Sequence, residues 1–224
     1  MLTPDEIIIL HSTPFSEKSV IIHTLSRTYG RRSFLVRNAG GCMSFFQPLS
    51  ILECGIYENP KSNLFSAKDF YASVPLGGIR GSIGKNAISM FMAEVLFRSV
   101  REGMDEPGLY DWCVEEILLL DALIEDYSNF HIRFLLDFAA AMGFRPDFDS
   151  LFPFLESPET PDTVSVNLAG TVRHILDLDF SETMLIPMKG RMRGEICDRL
   201  LKYLEFHLEN RLNIRSLSVL SELF

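Results

Sequence analysis

A small closed β-barrel followed by an α-helical domain is the fold class this sequence predicts, and three observations carry it. Short β-runs punctuated by turn residues fill residues 5–72. From about residue 75 the hydrophobic period changes from two to about 3.6. Charge divides at the same place: residues 1–80 hold eight Lys/Arg against six Asp/Glu, whereas residues 81–224 hold thirteen against twenty-four. The reading is α+β with two domains, the first over 1–76 and the second over 77–224.

The barrel begins with an apolar run at 6–10, which His11, Ser12, Thr13 and Pro14 end. Two strands follow around a Tyr29-Gly30 turn: 20–25, rich in β-branched residues, and 33–36, alternating large and small groups. Period-two geometry sends Arg31, Ser33, Leu35 and Arg37 to one face and Arg32, Phe34 and Val36 to the other. After a glycine-bearing loop at 38–44, a strand within 48–57 sets Leu49, Ile51 and Glu53 against Ser50 and Leu52. Asn59-Pro60 is a turn signal, and 64–72 supplies the last run. Five short strands at this spacing suit a five-stranded barrel of the OB type, and an SH3-like barrel fits nearly as well.

Pro75 and a cluster of glycines from Gly77 to Gly84 mark the change to helices. Ile88, Phe91, Met92, Val95 and Leu96 then form one helical stripe, with Glu94, Arg98 and Arg101 on the wetter side. Asp105 and Pro107 read as the cap and first turn of a helix running to about Asp126. A third helix, 130–142, is apolar almost all round and has Gly143 just past its end. Residues 145–163 are acidic and proline-rich and read as an irregular loop, 164–168 as a short strand, and Thr171 as the start of a short helix. A long helix from about Lys189 to Leu212 turns Ile196, Leu200, Leu204 and Leu208 inward, and Ser216 caps a last one ending at Phe224.

Composition narrows the function classes. A chain of 224 residues, 47% hydrophobic, can bury a sizeable core. No window reaches the roughly 18 uninterrupted apolar residues of a membrane span. The first ten residues are acidic ahead of their apolar run, unlike a secretory signal. The expectation is a cytoplasmic protein with no membrane partner. Cys42, Cys54, Cys113 and Cys197 are dispersed, which speaks against paired zinc ligands and against a disulfide framework. They read as buried free thiols, and no metal or cofactor is expected. There is no phosphate-loop spacing, no nucleophile elbow and no His-Glu-x-x-His. The five histidines fall in different elements, and Glu115-Glu116 and Asp177/Asp179 read as a solvated helix face and a loop. Nothing assembles a nucleophile, a base and an oxyanion site, so no catalytic residue is expected.

Function concentrates instead on residues 18–41. Lys18, Arg27, Arg31, Arg32 and Arg37 against Glu17 alone make this stretch basic inside a chain of net charge −9. They form either a solubilising edge or a groove for a phosphate backbone, with Tyr29 or Phe34 to stack on a base. On an OB barrel the face of strands 2 and 3 is the usual nucleic-acid surface. Four or five phosphate contacts would give a salt slope of about −3 to −3.5 on single strands, at roughly −0.7 per contact. In the helical domain Phe91 lies in a Met/Phe stripe near Arg98 and Arg101, with Arg133 on the third helix. The stripe reads as core or, where open, as a site for a peptide ending in apolar and acidic residues. An interaction scaffold that never touches nucleic acid and an RNA-binding OB module are the other classes left open.

With that order of elements, the chain resembles the RecO family of bacterial recombination mediators along nearly its full length. Residues 15–19 resemble the family's aromatic-x-Glu-x-Ser stretch, which leads into a Thr/Ser-rich strand, a glycine turn and a basic strand. Ser44 with Phe46-Gln47-Pro48-Leu49 resembles its Ser-x-x-x-Leu-Gln-Pro-Phe segment, and 138–146 its helix end followed by Gly-aromatic-x-Pro. The last helices resemble the family's closing helix and its Lys-Ser-Leu-x-Val-Leu-like end. Two departures stand out. Many members carry a four-cysteine zinc site after the Gly-aromatic-x-Pro turn, whereas 147–168 here contains no cysteine. The basic strand ends Val36-Arg37-Asn38-Ala39-Gly40, with one basic residue fewer than the family pattern. The resemblance implies a non-catalytic helper in recombinational repair, cytoplasmic and associated with the nucleoid. It implies binding and annealing of single- and double-stranded DNA through the barrel. It also implies that the helical domain engages the acidic C-terminal tail of single-strand-binding protein, and that a RecR-like partner joins in loading the recombinase.

Overall fold

The computed structural model describes residues 2–58, 64–104, 106–155 and 163–224, so Asn59-Pro60 and the expected cap Asp105 lie outside the described residues. Five strands, β1 (Leu2–Ser16), β2 (Ser19–Ser26), β3 (Gly30–Arg37), β4 (Ile51–Tyr57) and β5 (Phe65–Ala72), close a barrel in the order β1-β2-β3-β5-β4. This is the expected OB-type barrel. Neighbours are antiparallel except β3 and β5, whose parallel contact is limited to Phe34 with Phe65 and Leu35 with Ser66.

β1 continues well past Leu10, where the polar residues 11–14 had been read as its end. Its first half pairs with β4 and its second half with β2, so the one strand closes the barrel between them. Irregularities between Ile9 and His11 and between Pro14 and Ser16 bend it. The second follows Pro14, which is the last residue in the regular register and has no N–H to carry the ladder further. Ile7, Ile8 and Ile9 are all fully buried. Ile7 and Ile9 enter the barrel interior with Ile22, Phe34 and Leu52, while Ile8 points outward with Leu10, Leu25, Leu49 and Ile51 into the core of the helices. A continuous apolar run in a strand records burial on both faces. The helical core therefore extends over the outside of the barrel.

Nine helices follow among the described residues: α1 (Gly77–Gly81), α2 (Ile83–Ser99), α3 (Leu109–Ala122), α4 (Phe130–Ala141), α5 (Phe148–Leu155), α6 (Thr163–Asp177), α7 (Phe180–Leu185), α8 (Gly190–Leu208) and α9 (Ser216–Leu223). α4 sits deepest, with Phe130, Phe134 and Phe138 fully or almost fully buried and Trp112 of α3 stacked on Phe134 at 5.7 Å.

Four expectations need correction. Part of the supposed loop 145–163 is α5. Asp147 accepts the Ser150 amide at 2.8 Å while Ser150 Oγ accepts the Asp147 amide at 3.0 Å, a reciprocal cap that starts a helix burying Leu151 and Leu155. The supposed strand 164–168 lies in α6, whose buried Leu168, Val172 and Ile175 recur at helical spacing. α7 was missed, although Asp179 and Glu182 form a capping box. Ser216 does not cap α9 by itself; it and the preceding amide bond to Glu94 of α2.

Candidate nucleic-acid interface

The five cations expected to act together are divided by the fold. Arg27, on the β2–β3 turn, donates to Glu6 at 3.0 Å and to Asp111 at 2.6 Å and lies over the Tyr110 ring, 4.4 Å from its centre. Its slight burial works against the charge, but these carboxylates outweigh that and raise its pKa. Arg31 is 4% exposed, its guanidinium 5.0 Å from the centre of the Phe97 ring of α2. Burial lowers its pKa, and Glu102 opposes that. Arg32 is half-buried over Phe65 at 4.3 Å. These three serve the contact between barrel and helices or the barrel's own end, which corrects the picture of one basic groove.

The two aromatic candidates are also committed. Phe34 has no exposed surface, being part of the barrel interior, and cannot stack on a base there. Tyr29 donates its hydroxyl to Glu58 at 2.6 Å and meets Phe34 and Phe65 edge-on. The hydrogen bond to Glu58, with burial, raises its pKa.

Lys18 and Arg37 are different. Register sets out the outer face of β1, β2 and β3 in rows: His11, His23 and Ser33; then Thr13, Ile21 and Leu35; then Ser19 and Arg37. The first row is covered by Phe97, which packs on both histidines at 5.2 Å. His23 also bonds Ser33 Oγ at 2.8 Å, and burial, followed by Arg31 and His11, lowers its pKa. Beyond that row the face opens. Arg37 is exposed, Lys18 is exposed at the β1–β2 turn, and neither has an ion pair among the described residues. Phe15 lies at the same end and is 60% exposed. Sequence reasoning used Phe15 only within the 15–19 stretch that carries the family resemblance and did not place it among the binding residues. Its place before the tight turn to β2 was the available signal.

The helical candidates do not form one site either. Phe91 is fully buried, edge-on to His131, and belongs to the core. Arg98 faces Glu94 at 3.9 Å, and exposed Arg101 donates to the Leu208 carbonyl at 3.3 Å. Arg133 holds Asp137 at 2.8 Å and the Leu178 carbonyl at 2.9 Å. It lines a cavity of about 350 Å3 with Arg145, Arg173, Phe148 and Leu136, where Arg98 and Arg101 take no part. Arg173 stacks over Phe148 at 4.0 Å.

A closed five-stranded barrel of this connectivity, buttressed on one outer face by helices and open at the far end of that face, defines the class of OB-fold proteins with a helical extension. The comparisons are more specific. The family profile described as Recombination protein O N terminal matches residues 1–70, and that described as Recombination protein O C terminal matches 80–151. The chain belongs to the RecO family. A protein of Flavobacterium johnsoniae named DNA repair protein RecO is 29% identical over 231 residues, and one of Bacteroides fragilis with the same name 27% over 234. A third, from Phocaeicola vulgatus, is 29% identical over 233 residues, and in all three pairs 97% of each chain is covered.

Proposed function

We propose that this protein is a non-catalytic, DNA-binding recombination mediator in DNA repair, gripping strands through the open end of its β1–β2–β3 face. Family membership supports the role, as do the relatives' shared name. The observation that carries the location is the pair Lys18 and Arg37, exposed, without ion pairs among the described residues and adjacent to exposed Phe15. The cations would contact phosphates and Phe15 a base. Two contacts instead of five imply weak, sequence-independent binding, with a salt slope near −1.4 for single strands at roughly −0.7 per contact.

Titration of a labelled single-stranded oligonucleotide at two salt concentrations tests this. Lys18→Ala with Arg37→Ala should flatten the slope by about that amount, and Phe15→Ala should cost about 1–3 kcal/mol of binding. Unchanged affinity and slope in both variants would reject the assignment. An RNA of identical sequence, run alongside, decides between DNA and RNA.

Engagement of an acidic, apolar peptide tail, such as that of single-strand-binding protein, belongs to the same reading. The cavity at Arg133 supports it better than the α2 stripe does, because Leu136, Phe148 and Leu176 line it and two of its guanidiniums, Arg145 and Arg173, have no ion pair among the described residues, although Asp137, Asp147 and Asp177 line it too and offset their charge. A RecR-like partner and recombinase loading rest on family membership alone.

A further inference from the structure

The barrel has a second exposed face, formed by the first half of β1 with β4 and β5, and its chemistry is the reverse of the first. A groove of about 550 Å3 crosses it, lined by Leu2, Pro4 and Tyr71, by Glu6, Glu53 and Asp69, and by a single cation, Arg27. Leu2 is 43% exposed, Tyr57 52% and Tyr71 67%. Register makes Leu2 the neighbour of Tyr57, and Glu53 the neighbour of both Glu6 and Tyr71. Gly55 is buried beneath Leu2, which fills the space a side chain would need: a Cβ there would meet Leu2 at 2.8 Å.

Glu6 and Glu53 are direct cross-strand partners. Like charges in that register repel and weaken a sheet. Arg27 relieves Glu6 at 3.0 Å but is shared with Asp111, while Glu53 has no ion pair among the described residues. Among the described residues Asp69 has an ion pair with its neighbour Lys68 alone, at 3.4 Å. An arrangement that costs stability is expected where binding uses it. Like charge turns nucleic acid away from this face, and opposite charge attracts a cation.

We propose that this face docks a cationic segment of a partner protein, in which Lys or Arg side chains flank an apolar one. The apolar side chain packs on the exposed surfaces of Leu2 and Tyr71, and the cations reach Glu53 and Asp69. The site shares no residue with Lys18, Phe15 and Arg37, so loss of DNA binding leaves it standing.

Fluorescence anisotropy with the full chain tests it. The probe is a short labelled peptide, capped at both ends, in which lysines flank a Leu-Tyr pair; its counterpart carries glutamate for lysine. The lysine peptide should bind, more weakly as salt rises, and the glutamate peptide should not. Glu53→Lys with Asp69→Asn should weaken binding about tenfold or more, equivalent to about 1.4 kcal/mol. Asparagine is chosen because Asp69 holds a φ of +58°, which it tolerates. The matched control, Glu125→Lys with Asp126→Asn at exposed positions of the helical region, should leave binding unchanged; asparagine again suits the φ of +56° at Asp126. Glu53→Gln should weaken binding yet raise the melting temperature, a combination a merely structural glutamate would not give. Equal binding by the Glu53/Asp69 variant, equal weakening by the Glu125/Asp126 control, or binding of magnesium ions with no peptide binding would each overturn the proposal.

Discussion

Glu116 shows how far a side chain's surroundings can depart from what its neighbours in sequence suggest. The pair Glu115-Glu116 reads as a wet helix face, yet Glu116 is only 8% exposed, and its Oε2 is buried without a hydrogen-bond partner among the described residues. Burial, then the charge of Asp137, pushes its carboxyl up to about 7 from the ordinary 4.5, with Arg133 opposing. The folded protein therefore holds a proton that the unfolded chain has released. Its contribution is favourable below pH 4.5 and is lost as pH rises through about 7. Glu116→Gln should raise stability at pH 8 by on the order of 2–3 kcal/mol and change little at pH 4, read from urea midpoints at the two values. Arg31 teaches the same lesson at the candidate interface. In the sequence it is one of five similar cations; in the fold it is a buried strut against Phe97. A loss of DNA binding in Arg31→Ala would report damage to that seam as readily as a lost phosphate contact.

At the scale of elements, α9 depends on a residue more than a hundred positions away. Glu94 of α2 accepts the Arg215 amide at 3.0 Å, the Ser216 amide at 2.8 Å and the Ser216 hydroxyl at 2.6 Å. It thereby satisfies donors that a helix start leaves open. Burial works against its charge, but these bonds outweigh it and hold its pKa below the ordinary 4.5. The sign is opposite to that of Glu116: the contribution is present above pH 4.5 and fades as pH falls through the depressed folded value. Glu94→Ala should cost about 1–2 kcal/mol at pH 7, and the gap from wild type should close towards pH 3. No local reading reveals such a cap, because Glu94 appears in sequence as a polar position on the wet side of a stripe. Where caps are local, the sequence did carry them. Asp179 with Glu182 is a legible box, and Asp147 with Ser150 is legible once serine is allowed in place of glutamate. The barrel strands were legible because their apolar runs and turns are local; α6 was not, because the Val-Ser-Val alternation imitates a strand until Leu168, Val172 and Ile175 are set on one helical face. The binding face was half legible. Lys18 and Arg37 stand where period two leaves them, but nothing in the sequence announces that Phe97 covers the rest.

Across the whole molecule, barrel and helices share one core through Ile8, Leu10, Leu25, Leu49 and Ile51. Calorimetry should therefore show a single transition. Leu10→Ala or Ile51→Ala should lower it by about 2–5 kcal/mol equivalent in stability, with barrel and helix signals moving together. Two separated transitions would reject the shared core. The seam has a second fastening. Among the described residues β5 pairs with β3 at two positions, and the 31–33 stretch of that edge is met by the segment between α2 and α3: Gly103 donates to the Arg31 carbonyl at 2.8 Å, Arg31 donates to the Met104 carbonyl at 3.1 Å, and Glu102 accepts the Ser33 amide at 2.9 Å. A chimera that exchanges helical halves between relatives must keep its own residues 102–104 or import a matching set. Otherwise the transplanted barrel arrives with a naked strand margin, free to zip onto the next copy.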